Sequence, residues 1–413
     1  MRILSGTAAT ARVRRMADRG SKYAQVESEV RRIIADVRKH RDRAVRKYAE
    51  QWDGLSKEEP LRVSQEEINA AWKSAAVELR KSLRTAAANI RRFCEWQKPA
   101  EWMRTRQGIS VGQIVRPLDS VGCYVPGGRY PLVSTLLMTV IPAQVAGVQN
   151  VLVVSPQPRT EVLAAAGMLG VREVYRIGGG QAIAALAYGT QSVPRVDKIV
   201  GPGNLYVTAA KKLVAFDCAI DFLAGPTEVV IVSDKGTPEF IASDLVAQAE
   251  HDTETFAAFI TTNDKLAQQV ARATEKLSAG NAVAQESLRR DGVILVSSSR
   301  RQSFEWANEL ASEHLTVDTG DVAFVRNAGS VFVGDYSPQA AGDYASGPNH
   351  VLPTGAAARF RGGLSVLDFV KVISVQRLSR PGLKSIAPVV ESLANAEGLL
   401  AHAASVRTRV AHA

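Results

Sequence analysis

The 413-residue chain has little cysteine, few aromatic residues and no long apolar run. Its three cysteines, Cys94, Cys123 and Cys218, are too few and too widely spaced for a disulfide framework or a sulfur-ligated zinc site. Polar residues and a proline interrupt the longest apolar stretch, residues 132–148, whereas a membrane span needs ~18 uninterrupted apolar residues. The first residues lack the pattern of a signal peptide. We therefore expect a reduced, cytoplasmic protein without a membrane anchor.

The chain is basic, with 51 Lys and Arg residues against 41 Asp and Glu residues. This excess raises the alternative of a non-catalytic binding protein for nucleic acid. The basic residues near the start surround an amphipathic helical pattern, in which Val30, Ile33 and Val37 mark the buried side. Since no basic cluster is interleaved with aromatic residues that could stack on bases, we expect no nucleic-acid partner.

From residue 114 onwards, short β-branched runs alternate with helical patterns, which predicts an α/β fold with parallel sheets. The alternation occurs in two stretches, so we predict two similar Rossmann-like lobes, each with an incomplete parallel sheet. Small helical extensions are expected at the N-terminus and the C-terminus. The predicted boundaries are 1–20 for the N-terminal extension, 21–118 with 231–370 for the first lobe, 119–230 for the second lobe and 371–413 for the C-terminal strand–helix extension.

Four of the six histidines lie in short polar segments rich in carboxylates, amides and glycines: 248–251, 313–314, 343–350 and 397–402. Histidine titrates near neutrality and is the commonest metal ligand, so this pattern indicates a metal and acid/base site. Gln248 and His251 are three residues apart on a predicted helix, where one face could present both to a single ion. Nitrogen and oxygen ligands without thiolate suit zinc, and manganese or cobalt less selectively. Glu313 and His314 are adjacent at the predicted end of a helix, so one could polarise water while the other takes a proton.

Two glycine-rich turns, 178–180 and 201–203, each lie between a predicted strand and a predicted helix. Exposed amides at a helix N-terminus favour an anion such as pyrophosphate. Neither turn is the G-x-G-x-x-G fingerprint. A third turn, 124–129, contains an aromatic residue, Tyr124, that could stack on a ring. Together the three turns indicate a nucleotide site in the second lobe.

Seven segments occur in order over nearly the whole chain: 121–128, 179–186, 201–204, 225–228, 248–251, 312–315 and 342–354. Together they resemble the histidinol dehydrogenase family. The resemblance implies a zinc- and NAD-dependent oxidation of L-histidinol to L-histidine through L-histidinaldehyde, the last two steps of L-histidine biosynthesis. It also implies that NAD binds the lobe formed by 119–230.

The same resemblance implies roles for individual residues. The zinc ligands would be Gln248, His251, Asp343 and His402. The catalytic pair would be Glu313 and His314, and the NAD contacts would be Tyr124, Gln181 and Asn204. The substrate contacts would be Thr227, Gln248, His251, Glu313, Asp343, His350, Glu397 and His402. The family forms a homodimer whose C-terminal helix reaches into the partner's site, so Glu397 and His402 are expected to serve the other subunit.

One departure and two alternatives accompany the resemblance. Thr227 occupies a place where serine is usual, which retains a hydroxyl and adds a methyl group to the pocket. Cys123 suggests a thiohemiacetal mechanism, although no histidine or lysine is adjacent to it in sequence. A related enzyme of the same fold, such as a sulfopropanediol dehydrogenase, is the alternative function. The segment 343–350 is closer to the histidinol branch.

Overall fold

The computed structural model describes residues 1–19, 22–127 and 131–412. Gly128 and Arg129, which the sequence places in the turn at 124–129, lie outside the described residues. The described strands are β1 (Arg2–Ser5), β2 (Trp102–Arg106), β3 (Ile109–Pro117), β4 (Ser120–Tyr124), β5 (Asn150–Val154), β6 (Glu173–Tyr175), β7 (Lys198–Val200), β8 (Ala219–Ile220), β9 (Glu228–Val232), β10 (Phe256–Thr261), β11 (Val293–Val296), β12 (His314–Val317), β13 (Ser330–Val333) and β14 (Val370–Leu378).

The described α-helices follow the same chain order. They are α1 (Gly6–Ala17), α2 (Glu27–His40), α3 (Asp42–Trp52), α4 (Gln65–Ser74), α5 (Val77–Trp96), α6 (Val133–Ala146), α7 (Thr160–Met168), α8 (Gly179–Tyr188), α9 (Leu205–Val214), α10 (Pro238–Ala249), α11 (Asp264–Leu277), α12 (Ala282–Arg290), α13 (Arg300–Leu310), α14 (Gln339–Tyr344), α15 (Arg380–Ala396) and α16 (Leu400–Ala411). The chain divides into two compact units, 1–97 with 119–369 and 98–118 with 370–413.

The larger unit contains two sheets, both parallel throughout. A six-stranded sheet has the order β1-β11-β10-β9-β12-β13, and a five-stranded sheet has the order β6-β5-β4-β7-β8. Their central strands are apolar runs because helices cover both faces of a parallel sheet. Every residue of β9 and β10 is buried. The predicted α/β fold with two incomplete parallel sheets is therefore confirmed.

The helices from α2 to α5 pack against helices of the five-stranded sheet, whereas α1 packs against α13 of the six-stranded sheet. Val30, Ile33 and Val37 of α2 share a buried core with Ile183 of α8 and Val207 of α9. The sequence groups residues 21–118 with the other lobe. The apolar stripe of α2 shows that this face of the helix is buried. It does not show which of the two sheets buries the face, because that depends on tertiary packing.

The first residues of the chain add a strand that the sequence pattern does not reveal. Residues 1–20 are predicted as a helical extension, and α1 supplies that helix. Arg2–Ser5 precede it as β1 and pair with Val293–Val296 of β11 at the edge of the six-stranded sheet. A four-residue edge strand is too short to show a clear alternation of apolar and polar residues.

The predicted helix through residues 304–313 ends earlier than expected. α13 stops at Leu310, Ala311 adopts a left-handed conformation with φ 46°, and His314 opens β12. The prediction that Glu313 and His314 lie at the end of a helix is therefore wrong. β12 is inserted between β9 and β13, so the tertiary pairing of a short strand overrides the helical pattern.

The smaller unit is an antiparallel sheet with two helices. β3 pairs with β2 on one side and with β14 on the other. The strand predicted for 366–375 begins at Val370, after a turn of 3₁₀ helix over Val366–Phe369. The helix predicted for 386–410 is two helices, α15 and α16, because Gly398 between them has φ 74°. Among the described residues, no helix combines the length and the apolar character of a membrane span.

Candidate active site

The predicted catalytic pair lies at the amino-terminal edge of the six-stranded sheet, where β9 and β12 begin side by side. His314 is opposite Val229 in the parallel register. Two helices bring further polar groups to the amino-terminal edge. Gln248 is near the end of α10, and Asp343 is near the end of α14. Residues far apart in the sequence therefore converge, because a helix that follows a parallel strand runs back towards the edge at which the strands begin.

Four of the predicted site residues form one chain of polar contacts. Gln248 donates from Nε2 to Asp343 Oδ2 at 3.1 Å, and Asp343 Oδ1 lies 3.2 Å from His314 Nε2. On the other side of the imidazole, His314 Nδ1 lies 3.6 Å from Glu313 Oε2. Gln248, Glu313 and His314 are buried, and Asp343 is half-buried. The largely buried cluster thus contains two carboxylates, one imidazole and one amide.

Glu228, the first residue of β9, completes the surroundings of this pair. Its backbone N–H donates to Glu313 Oε2 at 3.0 Å, and its carbonyl oxygen lies 3.3 Å from His314 Nδ1. Both nitrogens of His314 therefore face oxygens. Burial disfavours the charged imidazole, but Glu313 and Asp343 outweigh burial and raise the pKa of His314 to about 10. The same contact with His314 outweighs burial at Asp343 and lowers the pKa of that carboxyl.

His350 belongs to the same neighbourhood. Its Nδ1 lies 2.7 Å from the carbonyl oxygen of Asp343, and its Nε2 lies 3.4 Å from Thr135 Oγ1 on α6. Burial lowers the pKa of His350. Thr227, predicted as a substrate contact, directly precedes Glu228 and is half-buried.

The remaining predicted ligands are not joined to this chain of contacts. His251 follows α10, and its side chain is exposed. Glu397 and His402 are exposed residues of the smaller unit. In the described parts of the chain, no group of three or more His, Cys, Asp or Glu side chains is arranged so that it could hold a metal ion. The structure brings Gln248 and Asp343 together, whereas His251 is an exposed residue just beyond the end of α10 and His402 belongs to the other unit.

The predicted NAD contacts lie at the carboxyl-terminal edge of the five-stranded sheet. Tyr124 ends β4, Gln181 is in the first turn of α8, and Asn204 caps α9 by accepting the N–H of Val207 at 3.1 Å. The Tyr124 hydroxyl accepts the N–H of Gly179 at 3.1 Å. Tyr124 and Gln181 are buried, whereas Asn204 is exposed.

Asp53, at the end of α3, is a site-adjacent residue that the sequence reasoning missed. Its Oδ2 accepts hydrogen bonds from the N–H of Gly178 at 2.9 Å and from Gln181 Nε2 at 3.1 Å. Burial raises the pKa of Asp53 to about 6. Oε1 of Gln181 is buried without a hydrogen-bond partner among the described residues. No local signal marks Asp53, because it reaches this turn from 125 residues away.

Glu228 was missed for a different reason. It stands in the segment 225–228 that carries the family resemblance, yet no role was assigned to it. A carboxylate as the first residue of an apolar strand, Glu228-Val-Val-Ile-Val232, is the signal that could have identified it, since an acidic residue is almost never fully buried without a partner.

The comparisons with known proteins agree with one another. The family model described as histidinol dehydrogenase matches residues 16–410. The histidinol dehydrogenase of Methanothermobacter thermautotrophicus is 45% identical over 92% of this chain and 92% of the relative, and that of Haloarcula marismortui is 46% identical over 95% of each. A crystal structure of histidinol dehydrogenase from Elizabethkingia anophelis superimposes with a TM-score of 0.95 at 34% identity, covering 100% of this chain and 98% of that one. The chain belongs to the histidinol dehydrogenase family.

Proposed function

We propose that this oxidoreductase oxidises L-histidinol to L-histidine through L-histidinaldehyde, in two sequential hydride transfers, as the final steps of L-histidine biosynthesis. The observation that carries this proposal is the buried chain from Gln248 through Asp343 and His314 to Glu313. It supplies an imidazole and a carboxylate for proton transfer beside oxygen donors for a cation, which is what the oxidation of an amino alcohol requires.

Zinc is the proposed metal, one ion per subunit, held by Gln248, His251, Asp343 and His402. The chemistry of the donor set suits zinc, because the Gln248 amide and the Asp343 carboxylate are in contact at 3.1 Å and two imidazoles would complete the nitrogen and oxygen ligands. When bound, the ion supplies positive charge that holds and orients the nitrogen and oxygen groups of the substrate. Thr227, His350, Glu397 and the ligand side chains would complete the substrate pocket.

NAD is the proposed oxidant, and it accepts the hydride in each step. Tyr124, Gln181 and Asn204 would contact it in the lobe formed by 119–230. Their position supports this assignment, because ligands of open α/β sheets bind outside the carboxyl ends of the strands. The exposed Asn204 and the turn before α9 offer polar groups at that edge.

The side chains of the catalytic pair divide the proton transfers. His314 takes the proton of the substrate alcohol in the first oxidation. Glu313 removes a proton from water so that the aldehyde is hydrated before the second oxidation. His314 must lose its own proton before it can act as a base, so we expect turnover to increase as the pH rises through the pKa of His314.

Glu397 and His402 are proposed to act in the site of the other subunit of a homodimer in the cytoplasm. Both side chains are exposed, so they are accessible to a second subunit. Glu397 would pair with the ammonium group of the substrate.

Metal analysis combined with an activity assay tests the proposal. We expect one zinc per subunit, NADH production from histidinol, loss of activity with a chelator and recovery when zinc is added. NADH production from a sulfonated diol and not from histidinol would instead support a sulfopropanediol dehydrogenase. A zinc-free preparation with full activity would contradict the proposed metal.

A further inference from the structure

A buried ion pair lies directly behind the catalytic carboxylate. Arg19, which follows α1, donates from Nε to Glu228 Oε1 at 2.7 Å and from Nη2 to Glu228 Oε2 at 2.6 Å. The Glu228 side chain is only 4% exposed and that of Arg19 is 19% exposed. A two-pronged contact of this kind fixes both the position and the orientation of a carboxylate.

Both partners are anchored further. Arg19 Nη2 also donates to the carbonyl oxygen of Leu310, the last residue of α13, and its guanidinium lies over the ring of Phe256. Glu228 Oε1 also accepts the N–H of Gly355 at 2.7 Å. The pair therefore ties the start of the chain to β9, to the end of α13 and to the loop that follows His350.

The main chain of Glu228 connects this pair to the site. Its N–H is a hydrogen-bond donor to Glu313 Oε2 at 3.0 Å. A carboxylate that must remove a proton from water needs a fixed direction, since general-base catalysis depends on geometry before pKa. Any displacement of Glu228 moves the donor that orients Glu313.

We propose that Arg19 is a positioning residue that, through Glu228, holds the Glu313 carboxylate in the orientation needed to activate water. Without Arg19, the buried carboxylate of Glu228 has no compensating cation and must move towards solvent or take up a proton. The first residue of β9 moves with it, and Glu313 loses its fixed donor. This inference rests on the proposed role of Glu313.

The variants Arg19→Met and Arg19→Lys test it in the zinc-loaded enzyme, with histidinaldehyde and NAD as substrates. We expect Arg19→Met to lower kcat by roughly 10- to 100-fold, the cost typical of a small misplacement of a reacting group, with the KM for NAD changed by less than about twofold. Arg19→Lys should recover part of the loss because it keeps the charge and one donor.

Lys198→Met is the matched control. Lys198, at the start of β7 in the other sheet, forms a comparably buried pair with Asp368, with side chains 13% and 15% exposed. Asp368 also contacts Arg361 at 3.2 Å, so the two variants are compared at equal loss of melting temperature. Loss of Lys198 should lower the melting temperature while kcat stays within about twofold of the parent. If kcat falls as much in Lys198→Met as in Arg19→Met at equal loss of melting temperature, Arg19 is merely structural and the inference is overturned.

The decisive comparison repeats Arg19→Met in a Glu313→Gln background. If Arg19 acts through Glu313, it should change the residual kcat there by less than about twofold. The same fold-loss in both backgrounds would overturn the inference. A Glu313→Gln enzyme with unchanged kcat would show instead that the proposed role of Glu313 is wrong. Should Arg19→Met fail to fold, Arg19→Lys supports the same pair of comparisons.

Discussion

The two parallel sheets of the larger unit place polar groups at opposite edges. In the five-stranded sheet, Tyr124, Gln181 and Asn204 follow the carboxyl ends of strands, as in other open α/β sheets. In the six-stranded sheet, Glu228 and His314 stand at the amino-terminal edge. The two sheets are built alike, but their candidate site residues lie at opposite edges.

Each of the two edges also contains a buried ion pair next to its polar groups. At the amino-terminal edge of the six-stranded sheet the pair is Arg19 with Glu228, and at the glycine-turn edge of the five-stranded sheet it is Lys211 with Asp221. Lys211 donates to the carbonyl oxygen of Gly201 at 3.0 Å, and the N–H of Gly201 donates to Asp221 Oδ2 at 2.8 Å. The first pair lies beside the proposed catalytic side chains, whereas the second holds a turn of main chain. We therefore expect substitutions at the first edge to change kcat and those at the second to change cofactor binding.

Substitution of His314 should produce the largest effect. We expect His314→Asn to lower kcat with histidinol by roughly 10²- to 10⁴-fold, because a general base is removed, while the KM for NAD stays nearly constant. Steady-state kinetics with each substrate varied in turn provide the measurement. A kcat within about threefold of the parent value would contradict a catalytic site at the amino-terminal edge of the six-stranded sheet.

Substitution of Lys211 should affect stability and cofactor binding. Lys211→Met leaves the buried Asp221 carboxylate without its cation, so the free energy of unfolding should fall by about 3–5 kcal/mol. The Gly201 turn also loses a donor, and we expect the KM for NAD to rise about tenfold, which corresponds to about 1.4 kcal/mol of binding. Urea unfolding and kinetics with NAD varied test both parts. A fall in kcat at unchanged KM for NAD would contradict the contrast between the edges.

Asp53 should make the glycine-turn edge sensitive to pH. Burial raises the pKa of Asp53 to about 6, from an ordinary value of 3.8, so the protonated form is favoured in the folded protein. The stability that this proton provides is fully present below pH 4 and is lost as the pH rises to 6, by up to about 3 kcal/mol.

Asp53→Asn removes this titration and keeps an oxygen that can accept the N–H of Gly178. The unfolding free energy of the variant relative to the parent should therefore increase between pH 4 and pH 7 by an amount of that order. Denaturant unfolding at several pH values measures the difference. A constant difference across this range would show that Asp53 does not titrate there.

Cys123 should contribute least. It is fully buried in β4, and burial raises the pKa of its thiol to about 12, so the thiolate needed for a thiohemiacetal is scarce at neutral pH. We expect Cys123→Ala to retain kcat within about twofold and to lower the free energy of unfolding by about 1 kcal/mol. Kinetics and urea unfolding of the variant check both values. Loss of aldehyde oxidation with the fold intact would revive the cysteine mechanism.

Several elements of the fold follow from local patterns. The strands β5, β9 and β10 are apolar runs of five or six residues between turns, and their predicted positions agree with the structure to within a residue. β12 was missed because its four residues follow a helix with only a left-handed residue to mark the break. The pairing of β14 with β3 was missed because it joins segments about 260 residues apart.

In the candidate site, too, some features follow from local sequence patterns and others do not. The residue types and their order along the chain indicated a metal and acid/base site and a family. The distances did not follow from them, and the prediction that Gln248 and His251 share a helical face is not met, because α10 ends at Ala249 before the histidine. Helix ends depend on capping contacts and packing more than on the apolar period.

By itself, the sequence determined that this protein has two parallel α/β lobes, that it belongs to the histidinol dehydrogenase family and which side chains are available for chemistry. Apolar periodicity and short motifs encode these features locally. The tertiary structure was needed to show that Arg19 meets Glu228 across 209 positions, that Asp53 accepts a hydrogen bond from a glycine turn and that Glu228 and His314 lie at the amino-terminal edge of their sheet. Such contacts depend on how helices and strands pack, and no local pattern records which distant surface a side chain will meet.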